Sequence, residues 1–119
     1  RQAVKRAELI NQKPQLQVAD LRLDLSLREA YRKDQLLTLH PIGWELLVAL
    51  AKASPAPLTR RELEYVVWQD SPPDSDALKS HLYQLRKAVN KPFATALLHT
   101  LRNVGVVLRE ATKVDSHSE

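Results

Sequence analysis

The spacing of apolar residues changes partway along this chain, and the change limits the folds open to it. Between Leu16 and Leu39 the period is two: Leu21, Leu23, Leu25 and Leu27 alternate with polar residues, then come a Lys33-Asp34 turn and the apolar Leu36 to Leu39. Alternation sends every second side chain to one face of a half-buried antiparallel sheet, so a meander of three or four short strands is expected here. From Pro41 the period lengthens. Trp44, Leu47, Val48 and Ala51 recur at helical steps and define a first helix that ends before Ser54-Pro55-Ala56-Pro57. Thr59 offers an N-cap and Glu62 completes a capping box for a short second helix, with Leu63, Val66 and Val67 on its apolar face. Gln69 to Asp74 is a loop, and either Asp74 or Ser75 can cap a third helix, roughly Asp76 to Asn90. Its Leu78, Leu82, Leu85 and Val89 fall within about 60° of one another at about 100° per residue, which turns them to the core. Leu97 to Leu108 reads as two short strands around Arg102-Asn103-Val104-Gly105, where Asn and Gly accept the positive φ of a tight hairpin.

A small sheet, three helices and a terminal hairpin make an α+β chain of winged helix-turn-helix type. At 119 residues the chain is one domain of ordinary size. We place that domain at residues 15–110, with a linker or the tail of an upstream domain at 1–14 and a disordered polar tail at 111–119. The sequence begins at Arg and holds no Met, as expected of a piece of a longer protein. It has no Cys, which excludes disulfides, thiolate metal sites and cysteine nucleophiles. The longest apolar runs, Trp44 to Ala51 and Leu97 to Leu108, are too short or too interrupted to cross a bilayer, and nothing after Arg6 resembles a signal-peptide core. A soluble, cytoplasmic chain without membrane contact is the default expectation.

Charge is unevenly spread. Residues 77–109 carry six Lys or Arg, plus His81 and His99, and none of the fourteen acids of the chain. The net charge of +4 is therefore a strongly basic segment set against a slightly acidic remainder. Such a segment fits a polyanion, and nucleic acid is the commonest one. On the third helix the face opposite the apolar residues holds Asp76, Ser80, Tyr83 and Lys87, flanked by Lys79, Arg86, His81 and Gln84. A helix of this kind is narrow enough for the major groove of B-DNA, with the hairpin lying over the neighbouring backbone or minor groove. Lys79, His81, Arg86 and Lys87 suit phosphates, which set register. Ser80, Tyr83 and Gln84 suit base edges, which set preference, and Asp76 would repel phosphate yet can accept from cytosine N4.

Other chemistry finds little support. Trp44 and Trp68 occupy helix-face spacing and read as core residues. His40, His81, His99 and His117 show no paired ligand spacing and no nearby carboxylate set, so no metal or other cofactor is expected. Ser80 and His81 are helix neighbours pointing about 100° apart, which does not make a nucleophile and base. The pairs Asp74/Asp76 and Glu62/Glu64 have simpler places at a helix start or on an exposed face. With Gly43 and Gly105 as the only glycines, a phosphate-cradling loop is impossible. No feature points to an enzyme.

From about Leu16 to Glu110 the chain resembles the C-terminal effector domains of OmpR/PhoB-type response regulators of bacterial two-component systems. Leu39-His40-Pro41 through Trp44-Glu45-Leu46-Leu47 is similar to that family's Leu-Thr-Pro-x-x-Phe-x-Leu-Leu, and Thr59-Arg60-Arg61-Glu62-Leu63 through Trp68 to its Ser-Arg-x-x-Leu-x-x-x-Val-Trp. His81-Leu82, Leu85-Arg86-Lys87 and Thr100-Leu101-Arg102-Asn103-Val104-Gly105 follow in the family's order and spacing. The resemblance implies a four-stranded N-terminal sheet, three helices and a wing, and transcriptional control through double-stranded promoter DNA, usually bound as tandem repeats by paired copies. It also implies a receiver domain upstream of this chain, phosphorylated by a sensor kinase. RNA polymerase would be met through the loop Gln69, Asp70, Ser71 to Asp74. Lys79, His81, Tyr83, Gln84 and Arg86 match the family's DNA-contacting helix positions, and Arg102 the wing's minor-groove arginine.

The chain also departs from the pattern. Asp76-Ala77 stands where the family often has Arg-Thr, Asn103 replaces a common Gly, and Val106-Val107 replaces the usual Tyr-Arg. Ser75-Asp76-Ala77-Leu78 and Lys91-Pro92-Phe93 resemble a ColR-like subgroup linked to envelope and metal stress. Asp76 and the thinned wing motivate one alternative, a winged-helix module that binds protein, its own receiver or RNA polymerase, with little DNA affinity; a second alternative is the cytoplasmic domain of a membrane-tethered activator.

Overall fold

The computed structural model describes residues 15–91, 93 and 95–110; the expected linker at 1–14 and tail at 111–119 lie outside them. Four strands come first: β1 (Gln15–Val18), β2 (Leu21–Asp24), β3 (Glu29–Arg32) and β4 (Gln35–Leu37). They pair as an antiparallel meander in chain order, with Leu23 opposite Ala30 and Ala30 opposite Leu37. Leu21, Leu23, Ala30 and Leu37 share the buried face. The β3–β4 turn is Lys33-Asp34, and both residues take positive φ (50° and 68°), the conformation a two-residue hairpin needs to match strand twist.

The alternation of leucines breaks down at one end. Asp24 Oδ1 accepts the Leu27 N–H at 3.0 Å, which turns the chain one residue after Leu23. Leu25 is consequently only half-buried and Leu27 is 61% exposed, so Leu27 does not join the sheet face that the pattern assigned to it.

Helix α1 (Pro41–Ala53) begins with Pro at its first position and occupies the centre of the domain. It packs on β1, on α2 (Arg60–Trp68), on α3 (Ala77–Val89) and on β6 (Gly105–Leu108), the second strand of the terminal hairpin begun by β5 (Leu98–Leu101). Because α1 is covered from several sides, its buried surface is wider than the expected stripe: Leu46 and Leu50 are fully buried alongside Trp44 and Leu47. Helix α2 carries the capping box as read from sequence. Thr59 Oγ1 accepts the Glu62 N–H at 3.1 Å and Glu62 Oε1 accepts the Thr59 N–H at 2.8 Å.

The start of α3 differs from expectation. Its N-cap is Asp76, not Asp74 or Ser75, and the Asp76 side chain makes no capping bond to its own helix. Leu78, Leu85 and Val89 are buried as the spacing required, each contributing about 1.5–3 kcal/mol, whereas Leu82 is half-buried. At the other end Asn90 ties α3 to the hairpin: its Oδ1 accepts the Leu97 and Leu98 N–H groups at 2.9 and 3.0 Å, and its Nδ2 donates to Leu98 O at 2.8 Å.

The hairpin turns at Arg102–Val104, with Asn103 at φ 63°. Leu58 adds a third rung beside β6 through reciprocal bonds with Val106 of 2.8 and 2.9 Å. Gly105, at φ +153°, is required there, because a Cβ would stand 2.0 Å from Leu58 O.

Arg32, at the end of β3, is fully buried. Its Nε and Nη2 reach Asp20 Oδ1 and Oδ2 (2.8 and 3.3 Å), Nη1 donates to Val89 O and Thr95 O (2.7 Å each), and Nη2 also donates to Thr95 Oγ1 (2.7 Å). All the donors of the guanidinium fork are thereby used. The Phe93 ring covers the group, its centroid 4.5 Å from Cζ. The Arg32 guanidinium holds the Asp20 carboxyl below its ordinary pKa by hydrogen bonding, against a smaller opposing effect of burial. One side chain thus joins the sheet to the C-terminal turn of α3. No helix among the described residues is long and apolar enough to cross a membrane.

Candidate nucleic-acid interface

The face of α3 opposite Leu78, Leu85 and Val89 is exposed at Lys79, Ser80, Tyr83, Gln84, Arg86 and Lys87. On one side it forms a groove of about 680 Å³ with the wing, lined by Arg60, Asp76, Lys79, Tyr83, Arg86 and Arg102, with Leu82 and Val104 supplying apolar floor and rim. Arg86 Nη2 donates to Thr100 Oγ1 of β5, so an α3 side chain fixes the distance to the wing. Tyr83 is 56% exposed, and Lys87 Nζ lies over its ring at 5.5 Å, one helical turn away.

On the other side of α3 a second, smaller cleft separates it from the start of α1. His40, Pro41, Ile42, Ser80, His81 and Gln84 line it, and Lys87 lines the adjoining hollow with Thr38 and Gly43. The first turn of α1 holds no acidic residue. Its free amides give this cleft a positive partial charge.

The structure therefore divides the sequence-selected residues between two clefts flanking one helix. Asp76, Lys79, Tyr83, Arg86 and Arg102 share the wing groove; Ser80, His81, Gln84 and Lys87 border the α1 cleft. His81 departs from the exposed position expected of it. It is half-buried, with its ring 6.2 Å from that of Trp68 and tilted by 47°, so it packs between α2 and α3. Asp76 is not left facing the groove alone either: Arg60 Nη2 of α2 donates to its Oδ1. Gln69, Asp70, Ser71 and Asp74 are all exposed in the α2–α3 loop, where Gln69 takes φ 52° and the Ser71 N–H donates to Trp68 O at 3.0 Å.

Arg60, Thr100 and His40 were not among the residues selected from sequence. Arg60 stands sixteen residues from its partner Asp76 and Thr100 fourteen from Arg86, distances at which no periodic signal exists. As chemistry, the wing groove is a concave surface with cations at both walls, the Tyr83 and Thr100 hydroxyls and the Asn103 amide for directional bonding, and one aromatic face. Among the described residues no group of His, Asp or Glu is arranged to hold a metal ion.

The family described as "Transcriptional regulatory protein, C terminal" matches residues 33–108, from the β3–β4 turn to the end of the wing. This chain belongs to the OmpR/PhoB-type effector domains. Its relatives include the response regulator MprA of Mycolicibacterium vanbaalenii, 36% identical over 93 residues, and the DNA-binding response regulator MtrA of Mycobacterium tuberculosis, 33% identical over 92 residues. The matches cover 77% and 76% of the chain but only 40% of either relative, so the domain spans about two fifths of their length. In three dimensions the effector domain superposes on the DNA-binding domain of CpxR from E. coli with a TM-score of 0.69 at 27% identity, covering 83% of this chain and 99% of that one. The DNA-binding domain of E. coli CadC superposes equally well, with a TM-score of 0.69 at 25% identity over 84% of this chain and 96% of that one.

Proposed function

We propose that this effector domain binds double-stranded DNA sequence-specifically to control transcription, with α3 in the major groove and the wing over the minor groove. One observation carries the reading: Lys79 and Arg86 of α3 and Arg102 of the wing line a single groove beside exposed Tyr83, within a segment that has no acidic residue of its own. Lys79, Arg86 and Lys87 meet phosphates and set register; Ser80, Tyr83 and Gln84 meet base edges. Arg102 enters the minor groove. Half-buried His81 donates from the α1 cleft, where the amides of the first turn of α1 add to phosphate binding.

In the whole protein the domain answers a sensor kinase through a receiver and binds tandem promoter repeats as a pair. It reaches RNA polymerase through Gln69, Asp70, Ser71 and Asp74, a loop whose exposure leaves it accessible while α3 is occupied. A fluorescence anisotropy titration of the chain against random and selected duplexes tests the DNA reading. Binding should weaken steeply with salt, and no binding to any duplex at ~50 mM salt, where counterion release contributes most, would refute it.

A further inference from the structure

We propose that Arg60 is a DNA-contacting residue of this domain and that Asp76, despite its negative charge, aids binding by holding Arg60 in the wing groove. The proposal rests on the DNA reading above and adds to the interface a residue from α2. Arg60 is the first residue of α2 and Asp76 immediately precedes α3, so the pair bridges the two helices at the mouth of the groove. Both side chains line that groove with Lys79, Arg86 and Arg102. Both are about half exposed, at 54% and 52%, and so remain within reach of a ligand.

The Asp76 carboxylate makes no bond to the α3 amides, although it occupies the N-cap, which leaves it to Arg60. Arg60 Nε is also 3.5 Å from Glu64 Oε2, one helical turn along α2. One carboxylate takes a guanidinium N–H and a second lies within ion-pair distance of Nε, so both bias the orientation of the guanidinium while donors remain open to a phosphate. Preorganisation of this kind lowers the entropy lost when a long side chain is immobilised at an interface. Masking works in the same direction, because an uncompensated Asp76 at the edge of the groove would repel the backbone it faces.

The consequence has an unusual sign. Removing a negative charge from a DNA-binding face ordinarily strengthens binding, whereas here Asp76→Asn also releases Arg60. The test is a double-mutant cycle on the 119-residue chain with Arg60→Ala, Asp76→Asn and the double variant, titrated across salt against a random duplex and the tightest duplex recovered from a random pool. Circular dichroism melting confirms that each variant is folded; the Thr59–Glu62 box that starts α2 is untouched by either change. Arg60→Ala should weaken binding and lower the salt slope by about one. Asp76→Asn should fail to strengthen binding while Arg60 is present and should strengthen it once Arg60 is gone, a difference of about threefold to fivefold. An unchanged slope in Arg60→Ala, or the same effect of Asp76→Asn in both backgrounds, would overturn the proposal. Absence of binding by the unsubstituted chain would instead overturn the DNA reading on which it stands.

Discussion

Arg32 at the end of β3 and Arg102 at the wing turn place the same guanidinium in opposite surroundings. Arg32 is fully buried, with its donors taken by Asp20, Val89 and Thr95 and its face covered by Phe93. Arg102 is exposed at the lip of a groove. A buried guanidinium is tolerated only when every donor is satisfied, and its removal then strands each partner. An exposed one contributes little to folding and stays available to an external anion. The same sequence letter thus marks a structural node in one region and a contact in the other, and burial decides which. The half-exposed pairs of the groove, Arg60 with Asp76 and Arg86 with Thr100, lie between these extremes: they orient side chains without sequestering them.

The comparison breaks first at Arg32. Arg32→Met should destabilise the fold by about 3–5 kcal/mol, since Val89 O and Thr95 O lose a buried donor and α3 loses its tie to β3. Urea unfolding measures this directly. A loss under about 1 kcal/mol would mean that the node is replaceable packing, and the contrast with Arg102 would collapse. Gly105→Ala comes next, at about 1–3 kcal/mol, because the added Cβ meets Leu58 O and the φ of +153° suits only Gly. It should damage the wing more than the sheet, so DNA affinity should fall at temperatures where circular dichroism still reports folded helices.

Acid offers a subtler probe of the same node. The Asp20 carboxyl is held below its ordinary value of 3.8 chiefly by its hydrogen bonds with Arg32. A carboxyl with a lowered folded-state pKa contributes stability that is fully present above its unfolded value and is lost as pH falls through the folded one. Thermal midpoints should therefore drop as pH falls below about 4, and Asp20→Asn should show a shallower drop in that window. Equal slopes for the two chains would indicate that Asp20 gains nothing from Arg32.

How far each region was legible from sequence follows from how local its determinants are. The Thr59–Glu62 box, the Lys33-Asp34 turn and the Asn103 turn are set by residues within a few positions of one another, and each formed as read. The apolar stripe of α3 was equally legible, because helical geometry alone brings Leu78, Leu85 and Val89 together. Leu27 was misassigned because period two ignores the Asp24 side chain, whose bond to the Leu27 amide ends the strand early. Arg32 was invisible for a different reason: its partners Val89 and Thr95 lie 57 and 63 residues away, so nothing local marks a charged side chain for the buried face it shares with Ala30. The groove residues on α3 and the wing were legible through charge. Arg60 was not, since it belongs to a helix with no excess of basic residues and enters the groove only because α2 and α3 pack as they do.

The smallest effect on folding is expected at the other end of the comparison. Arg102→Ala should leave stability within about 0.5 kcal/mol, because an exposed side chain at a turn has little to lose on truncation. Its effect on DNA should be independent of that: weaker binding to every duplex, with a salt slope lower by about one, as expected for a cation that neutralises a phosphate. If affinity falls only for duplexes with narrow minor grooves, Arg102 reads groove shape as well as charge, since narrow grooves concentrate negative potential around an inserted guanidinium. If stability falls with affinity, the wing turn depends on Arg102 for its structure, and exposure alone would no longer separate the contact arginine from the structural one.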